Sequence, residues 1–382
     1  MKTFGKPFWK PPLVAAAVLF LFFAAFPLSA AESPLKLVSW ASPMGDQSVQ
    51  FETLYGLKAM LNFINSKGGV RGKRLELFTL EMDEDSDNFH TKLDTLVLRV
   101  KPHLVVGGVA NVSAKETSDY FRRVGRLWFG PWTDNQEIYQ GLGTDPIGLF
   151  PAAPTEFALL LEYASRKVPG DKPIYLVMSE NPTTGATAEL AKSTASGFGM
   201  ELRVVTIPQN FRDWEALKGH LTDAGGILLW TSPGPSSAIR RVLKKTMSGD
   251  ILWMTNSLNQ PSHEIMAMAD GTWNGTVFPA VLTPSDKISE AHKVVLEKYA
   301  LPGLKMDYPA FLGFAQGQVL VKAVAKLGDV GNATPELIAG ALRDLDLTGS
   351  IISGQKLPHG AFDRAGTYLA ISDGRGDWYP AE

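Results

Sequence analysis

Apolar positions along the chain follow two alternating rhythms. Leu35 to Trp40 is a short apolar run that reads as a strand. Phe51, Leu54, Leu57, Leu61 and Ile64 then recur at spacings of three and four, the stripe of an amphipathic helix. Gly68-Gly69-Val70-Arg71-Gly72 stops that helix and turns the chain. A strand from Arg74 to Leu80 leads into Asp83-Glu84-Asp85-Ser86-Asp87, with Asp87 expected to cap the next helix. That helix shows Phe89, Leu93, Leu96, Val97 and Val100 on one face. Leu104-Val105-Val106 reads as a buried strand closed by Gly107-Gly108, followed by a helix over Ser113 to Val124 and a fourth strand over Arg126 to Phe129. Strands alternating with helices of this length predict right-handed βαβ units around a parallel sheet.

The rhythm restarts after Pro151. Helices are expected over Glu156 to Arg166 and Gly185 to Ser196, and near Trp214 and Ser236. Strands are expected over Pro173 to Met178, Leu202 to Ile207, Gly226 to Trp230 and Ile251 to Met254. Beyond Pro284 come helices over Ser289 to Tyr299 and Phe311 to Leu327. A further helix opens at Thr334-Pro335-Glu336, with Thr334 as N-cap and Pro335 at the first position. The tail from Ala361 to Trp378 reads as short strands and turns. The fold class expected is α/β, with two Rossmann-like lobes, because 382 residues exceed what one core usually supports, ~250–300 residues.

The first 31 residues stand apart from this pattern. Lys2, Lys6 and Lys10 precede an apolar run from Leu13 to Phe26, and Pro27 and Ser29-Ala30-Ala31 follow. This is the order of a secretory signal, with cleavage expected after Ala31 and a mature chain starting at Glu32. The apolar run is short of the ~20 residues a membrane-spanning helix needs. A soluble, monomeric protein exported to the periplasm is the expectation. The formal charge is −2, with Lys+Arg 37 against Asp+Glu 39, and nothing here favours a nucleic-acid partner. The chain has no cysteine, which excludes disulfides, thiolate metal sites and Cys nucleophiles.

Several segments carry a resemblance. They are Gly56-Leu57-Lys58-Ala59, the run from Asn65 through Gly68-Gly69-Val70-Arg71-Gly72 to Leu75, and Asp83-Glu84-Asp85 at a strand end. Together they resemble the type I periplasmic binding proteins, and most closely the branched-chain amino-acid (Leu/Ile/Val) binding subunits of ABC transporters. Trp132-Thr133 after Gly130-Pro131 and the helices expected after Tyr308 and Thr334 fit the same order. The resemblance implies two lobes joined by a three-strand hinge and closing on a small ligand. Lobe 1 would comprise residues 32–150 plus 280–345, and lobe 2 residues 151–279 plus 346–382. It implies an ABC permease as partner, no cofactor and no enzymatic activity. The alternative is a sensory or accessory ligand-binding protein that reports to a receptor or redox partner.

Residues matching the family's ligand loops follow from the same resemblance. In lobe 1 they are Asn111 and Ser113, where a ligand carboxylate would be held, and Trp132 and Thr133, the tryptophan standing where the family has a small residue. In lobe 2 they are Thr184, Ser232 and Ser257, which occupy places where the family has two aromatic rings and an acid. A buried ammonium without an acidic partner is costly. The expected ligand is therefore a non-amino organic acid or alcohol rather than a branched-chain amino acid.

Other chemistry is thin. Gly234-Pro235-Ser236-Ser237-Ala238 approaches a nucleophile elbow but ends in Ala, and reads better as a helix start. The histidines at 90, 103, 220, 263, 292 and 359 are scattered, with no metal-ligand spacing. Asp83, Asp85 and Asp87 mimic the start of a calcium loop, but Asn88 and Asp94 replace its Gly and final Glu. No metal site is expected.

Overall fold

A computed structural model describes residues 33–42, 49–83, 86–109, 113–133, 135–139, 143–181, 183–247, 249–328, 330, 332–343, 345–354, 356–357 and 360–382. The first 32 residues, with the expected signal segment, lie outside the described residues. Among the described residues, no helix is long and apolar enough to cross a membrane.

Two sheets organise the chain. The first has four parallel strands: β1 (Leu35–Ala41), β2 (Leu75–Glu81), β3 (Leu104–Val106) and β4 (Leu127–Phe129), in the order β2-β1-β3-β4. Its crossovers are α1 (Val49–Ser66), α2 (Phe89–Val100) and α3 (Ala114–Arg123). The strands β1, β3 and β4 are almost wholly buried, as expected of a sheet covered on both faces. Trp40, Phe89, Phe121 and Trp128 form an aromatic cluster on one face. The helix α2 starts at Phe89 with Asn88, not Asp87, in the cap position, and no side chain bonds there. Ser86 and Asn88 carbonyls turn the chain instead, accepting from the N–H groups of Phe89 and Lys92.

The second half begins with α4 (Ala153–Lys167), β5 (Ile174–Ser179), α5 (Thr184–Gly197) and β6 (Leu202–Ile207). It continues through α6 (Leu217–His220), β7 (Gly226–Trp230), α7 (Pro233–Thr246), β8 (Leu252–Thr255), α8 (His263–Met268) and β9 (Val277–Ala280). After α9 (Glu290–Tyr299), α10 (Tyr308–Lys326) and α11 (Pro335–Leu342) come β10 (Tyr368–Ser372) and β11 (Trp378–Pro380). The second sheet runs β11-β10-β9-β8-β7-β5-β6, parallel from β9 to β6 and antiparallel at β10 and β11. Thr334 caps α11 as its sequence foretells, its hydroxyl accepting from Leu337 N–H, with Pro335 at the first position.

The long helix α10 returns to the first sheet and packs on α1. Glycines make the approach possible: a Cβ on Gly56 would stand 1.9 Å from the Ala310 carbonyl oxygen, and one on Gly313 1.7 Å from that of Thr53. The two helix backbones therefore touch, and their first turns lie side by side.

Three segments pass between the lobes, near residue 151, near residue 282 and in the stretch that holds Ile352 and Phe362. Pro151 bridges Phe362, and Leu282 bridges Ile352. Tyr308, at the head of α10, pins the middle segment: its fully buried hydroxyl accepts from the N–H groups of Val281 (2.8 Å) and Leu282 (3.3 Å).

Candidate functional site

Ligands of open parallel sheets bind beyond the strand carboxyl ends, so the loops after β1, β3 and β4 and after β5, β7 and β8 are the natural candidates. In the first lobe these loops are braced from below. Trp40 Nε1 donates to the Val109 carbonyl (2.8 Å), Trp128 Nε1 to that of Gly107 (2.7 Å) and Gln316 Nε2 to that of Gly130 (3.1 Å). Gly108 is left-handed (φ +82°), and a Cβ there would meet the Trp40 ring at 2.5 Å. Only glycine lets the loop lie on that ring.

Three of the loop N–H groups are also committed. Gly107 N–H bonds the Phe129 carbonyl, Gly130 N–H that of Ile147 and Trp132 N–H that of Gly108, at 2.7–2.8 Å. A pocket opens above them, lined by Ser39, Trp40, Gln50, Thr53, Leu54, Leu57, Gly107, Gly108, Gly130, Trp132 and Gln316. Gln50 Oε1 and Thr53 Oγ1, on the first turns of α1, are buried there without a hydrogen-bond partner among the described residues.

The residues expected at the site are placed as follows. Asn111 lies outside the described residues. Ser113 is half-buried at the N-cap position of α3, without a side-chain cap bond, 3.4 Å from Thr117 Oγ1. Trp132 is buried in the pocket wall, its ring centroid 5.0 Å from that of Phe150. Thr133 is fully buried; its hydroxyl accepts the Asn135 N–H at 3.1 Å.

In the second lobe, Thr184 Oγ1 accepts from Asn181 N–H (2.8 Å) and donates to the Ser179 carbonyl (3.0 Å), bracketing the start of α5. Ser232 is the half-buried N-cap residue of α7. Ser257 follows β8 and meets a partner the sequence reading does not anticipate. The fully buried Glu156 of α4 accepts its backbone N–H at 2.9 Å and its hydroxyl at 2.5 Å. An acid therefore does stand beside the place where the family has one, but both of its oxygens are engaged by Ser257. In the same loop, Asn256 Oδ1 and both polar atoms of the Gln260 amide are buried without partners among the described residues.

The lobes meet beside this loop. The Pro261 carbonyl accepts from Tyr308 N–H (3.4 Å), and Asp307 Oδ2 accepts from His263 N–H (2.9 Å) and lies 3.1 Å from the ring Nδ1. The buried Asp307 holds the His263 pKa above its ordinary value. Gln50, Thr53, Gln316, Glu156 and Gln260 were not among the expected site residues. The one signal for them is a polar side chain inside a run that is otherwise apolar, as at Gln316 in α10. Among the described residues, no group of three or more His, Asp or Glu side chains is placed to hold a metal. Glu84 and Asp85 of the expected calcium-like turn lie outside the described residues.

Two α/β lobes, a three-segment hinge and, among the described residues, polar atoms without partners at both sets of strand ends define a two-lobe binding protein. The chain belongs to the periplasmic binding protein family, type I, whose model matches residues 41–372. No curated protein matches it by sequence. Solved structures with the same fold include a possible leucine/isoleucine/valine-binding protein from Rhodopirellula baltica, at 15% identity and TM-score 0.78, covering 94% of this chain and 98% of that one. A fatty acid ABC transporter substrate-binding protein from Thermomonospora curvata is 15% identical, with TM-score 0.74 and 92% of each chain covered. A branched-chain amino acid ABC transporter protein from Thermus thermophilus with bound valine is 14% identical, with TM-score 0.73, covering 92% of this chain and 96% of that one.

Proposed function

We propose that this protein is the periplasmic ligand-receiving subunit of an ABC importer, exported through a signal cleaved after Ala31, and not an enzyme. It would act as a monomer, with lobe 1 built from residues 32–150 plus 280–345 and lobe 2 from 151–279 plus 346–382. The lobes close on one small molecule and present the closed form to a permease. The observation that carries this reading is the set of buried polar atoms without partners among the described residues at both strand-end surfaces: Gln50 Oε1 and Thr53 Oγ1 on one side, Asn256 Oδ1 and the Gln260 amide on the other. Buried polar groups are rarely left unpaired in a folded protein, and a bound solute is a ready explanation here.

The ligand we infer is a non-amino compound. The acid nearest the place where the family has one, Glu156, is fully buried and hydrogen-bonded to the Ser257 N–H and hydroxyl. The unpaired Gln50 Oε1 is an acceptor and calls for a donor, and Thr53 Oγ1 takes either role, which suits the hydroxyl of an alcohol. A ligand at 100 times its Kd stabilises the folded state by ~2.7 kcal/mol, enough for a melting shift. A thermal-shift panel of alcohols, neutral amides, organic acids and amino acids tests the reading, with small-angle scattering on each hit. Stabilisation with a smaller radius of gyration is expected from the neutral compounds. Shifts from branched-chain amino acids alone would overturn the ligand class, and a ligand that binds with no compaction would overturn the clamp.

A further inference from the structure

We propose that the carboxyl pair Glu52 and Asp307, covered by the loop that carries His263, is a proton-operated latch favouring lobe closure as the medium turns acid. This regulation rests on the ligand-clamp reading above.

The pair exists because α1 and α10 cross at their glycines, which sets Glu52, on the first turn of α1, beside Asp307, the N-cap of α10. The two carboxyl groups lie close enough for Asp307 to act on Glu52 by charge and hydrogen bonding, and a bond between two carboxyls requires a proton on one of them. Asp307 is also the acceptor of two backbone N–H groups. It takes the N–H of Ala310 (3.4 Å) and that of His263 (2.9 Å), and faces the His263 ring (3.1 Å). Burial and the negative charge of Asp307 favour the proton on Glu52. Glu52 Oε2 is shut away from solvent with no partner among the described residues.

The charges acting on Glu52 are all negative: Asp307 from α10 and Glu264 from α8. Together with burial they push its carboxyl up to about 9. Lys305 and Asp377, the other charged groups at this corner, act on His263. Further along α1, Lys58 interacts with Glu81 of β2.

The second lobe completes this arrangement. Pro261 and His263 bond the head of α10, and Glu264 adds its charge, so the loop both covers the pair and raises the cost of ionising it. When the lobes part, water returns to Glu52 and Glu264 withdraws. Glu52 then ionises in the ordinary carboxyl range, around 4.3. Closing at neutral pH must take up a proton. His263 adds to the same sign, since Asp307 raises its pKa in the closed arrangement. Between the ordinary carboxyl range and about 9, each unit fall in pH raises the closed-to-open ratio, by up to roughly tenfold per proton taken up.

The chain has no cysteine of its own, so a labelled pair can be placed freely. Glu116→Cys and Ala186→Cys put spin labels on exposed first-turn positions of α3 and α5, one on each lobe. Distance distributions of the ligand-free full chain are then recorded from pH 5 to pH 9. The expected result is a shift toward short distances as pH falls. Glu52→Gln, a permanent neutral mimic, should give the short distances at every pH. Glu264→Gln, a side chain outside the pair, should move the midpoint to lower pH, and it decides the matter if Glu52→Gln does not fold. A distribution that ignores pH, or a Glu52→Gln chain that tracks the parent, would overturn the latch. Because no ligand is present, that failure is separate from a failure of the clamp reading, which is judged by ligand-induced compaction at one pH.

Discussion

Glu156 and Ser257, 101 residues apart in sequence, join α4 to the loop after β8 through two hydrogen bonds to one buried carboxyl group. The bond to the backbone N–H fixes the loop, and the bond to the hydroxyl fixes the side chain. Removing only the hydroxyl takes away one of the donors to that buried carboxyl group. Ser257→Ala is expected to cost ~1–3 kcal/mol, read as a lower urea midpoint at unchanged slope. An unchanged midpoint would mean that water replaces the hydroxyl at no cost.

The α1–α10 crossing gives a second expectation. Gly313→Ala drives a methyl to 1.7 Å from the Thr53 carbonyl, so the two helices must separate. Overpacking of this kind costs ~1–3 kcal/mol, seen as a lower Tm. Gly340→Ala is the control, because α11 leaves open space there and alanine favours the helix. It should leave Tm unchanged or raise it.

His103 sets a pH expectation of the opposite sign to the latch. Its Nδ1 accepts the Lys36 N–H at 3.1 Å, which requires a neutral ring, and burial holds its pKa below the usual 6.5. A depressed pKa in the folded state means the contribution is present above 6.5 and lost as pH falls through the native value. His103→Asn keeps an acceptor but cannot titrate. The stability difference between parent and variant, from urea titrations at pH 7.5 and pH 5, should shrink or reverse at the lower pH.

Gln50 and Thr53 separate binding from folding. Neither unpaired atom has a partner to lose among the described residues, so Gln50→Met and Thr53→Val should leave the stability from urea titration unchanged or raise it, by up to ~1–3 kcal/mol. A compound that stabilises the parent chain should lose most of its melting shift with either variant. A midpoint that falls while the shift persists would make these side chains structural.

Much of the architecture can be read from residue spacing. The stripes of α1 and α2 are regular, and the glycines after β3 and β4 mark where the strands end. The elements that escape such reading are short or irregular. In β9, Pro279 interrupts a four-residue strand and has no N–H to donate, yet Leu369 pairs opposite it. The six-residue α8 is too short for a period to show. The site is less legible than the fold, for a physical reason. Glu156 in a first helical turn looks like an acid placed to suit the helix dipole. Nothing local records that it faces a serine 101 residues on. Likewise Gln50 and Thr53 stand on the buried side of α1, where polarity has meaning only once the strand ends arrive.

The dependence of α1 on α10 also bears on how the protein is made. The first sheet is complete by Phe129, but the helix that fits the glycine groove of α1 begins only at Tyr308. A growing chain that stops short of that point carries Leu57 and Met60 without the neighbour that buries them. Closing so long a loop costs little extra free energy, since the penalty grows only with the logarithm of length, but contacts this distant form late. The amino-terminal lobe therefore waits for the far end of the chain, and a truncated product would be recognisable to proteases by that one bare helix face.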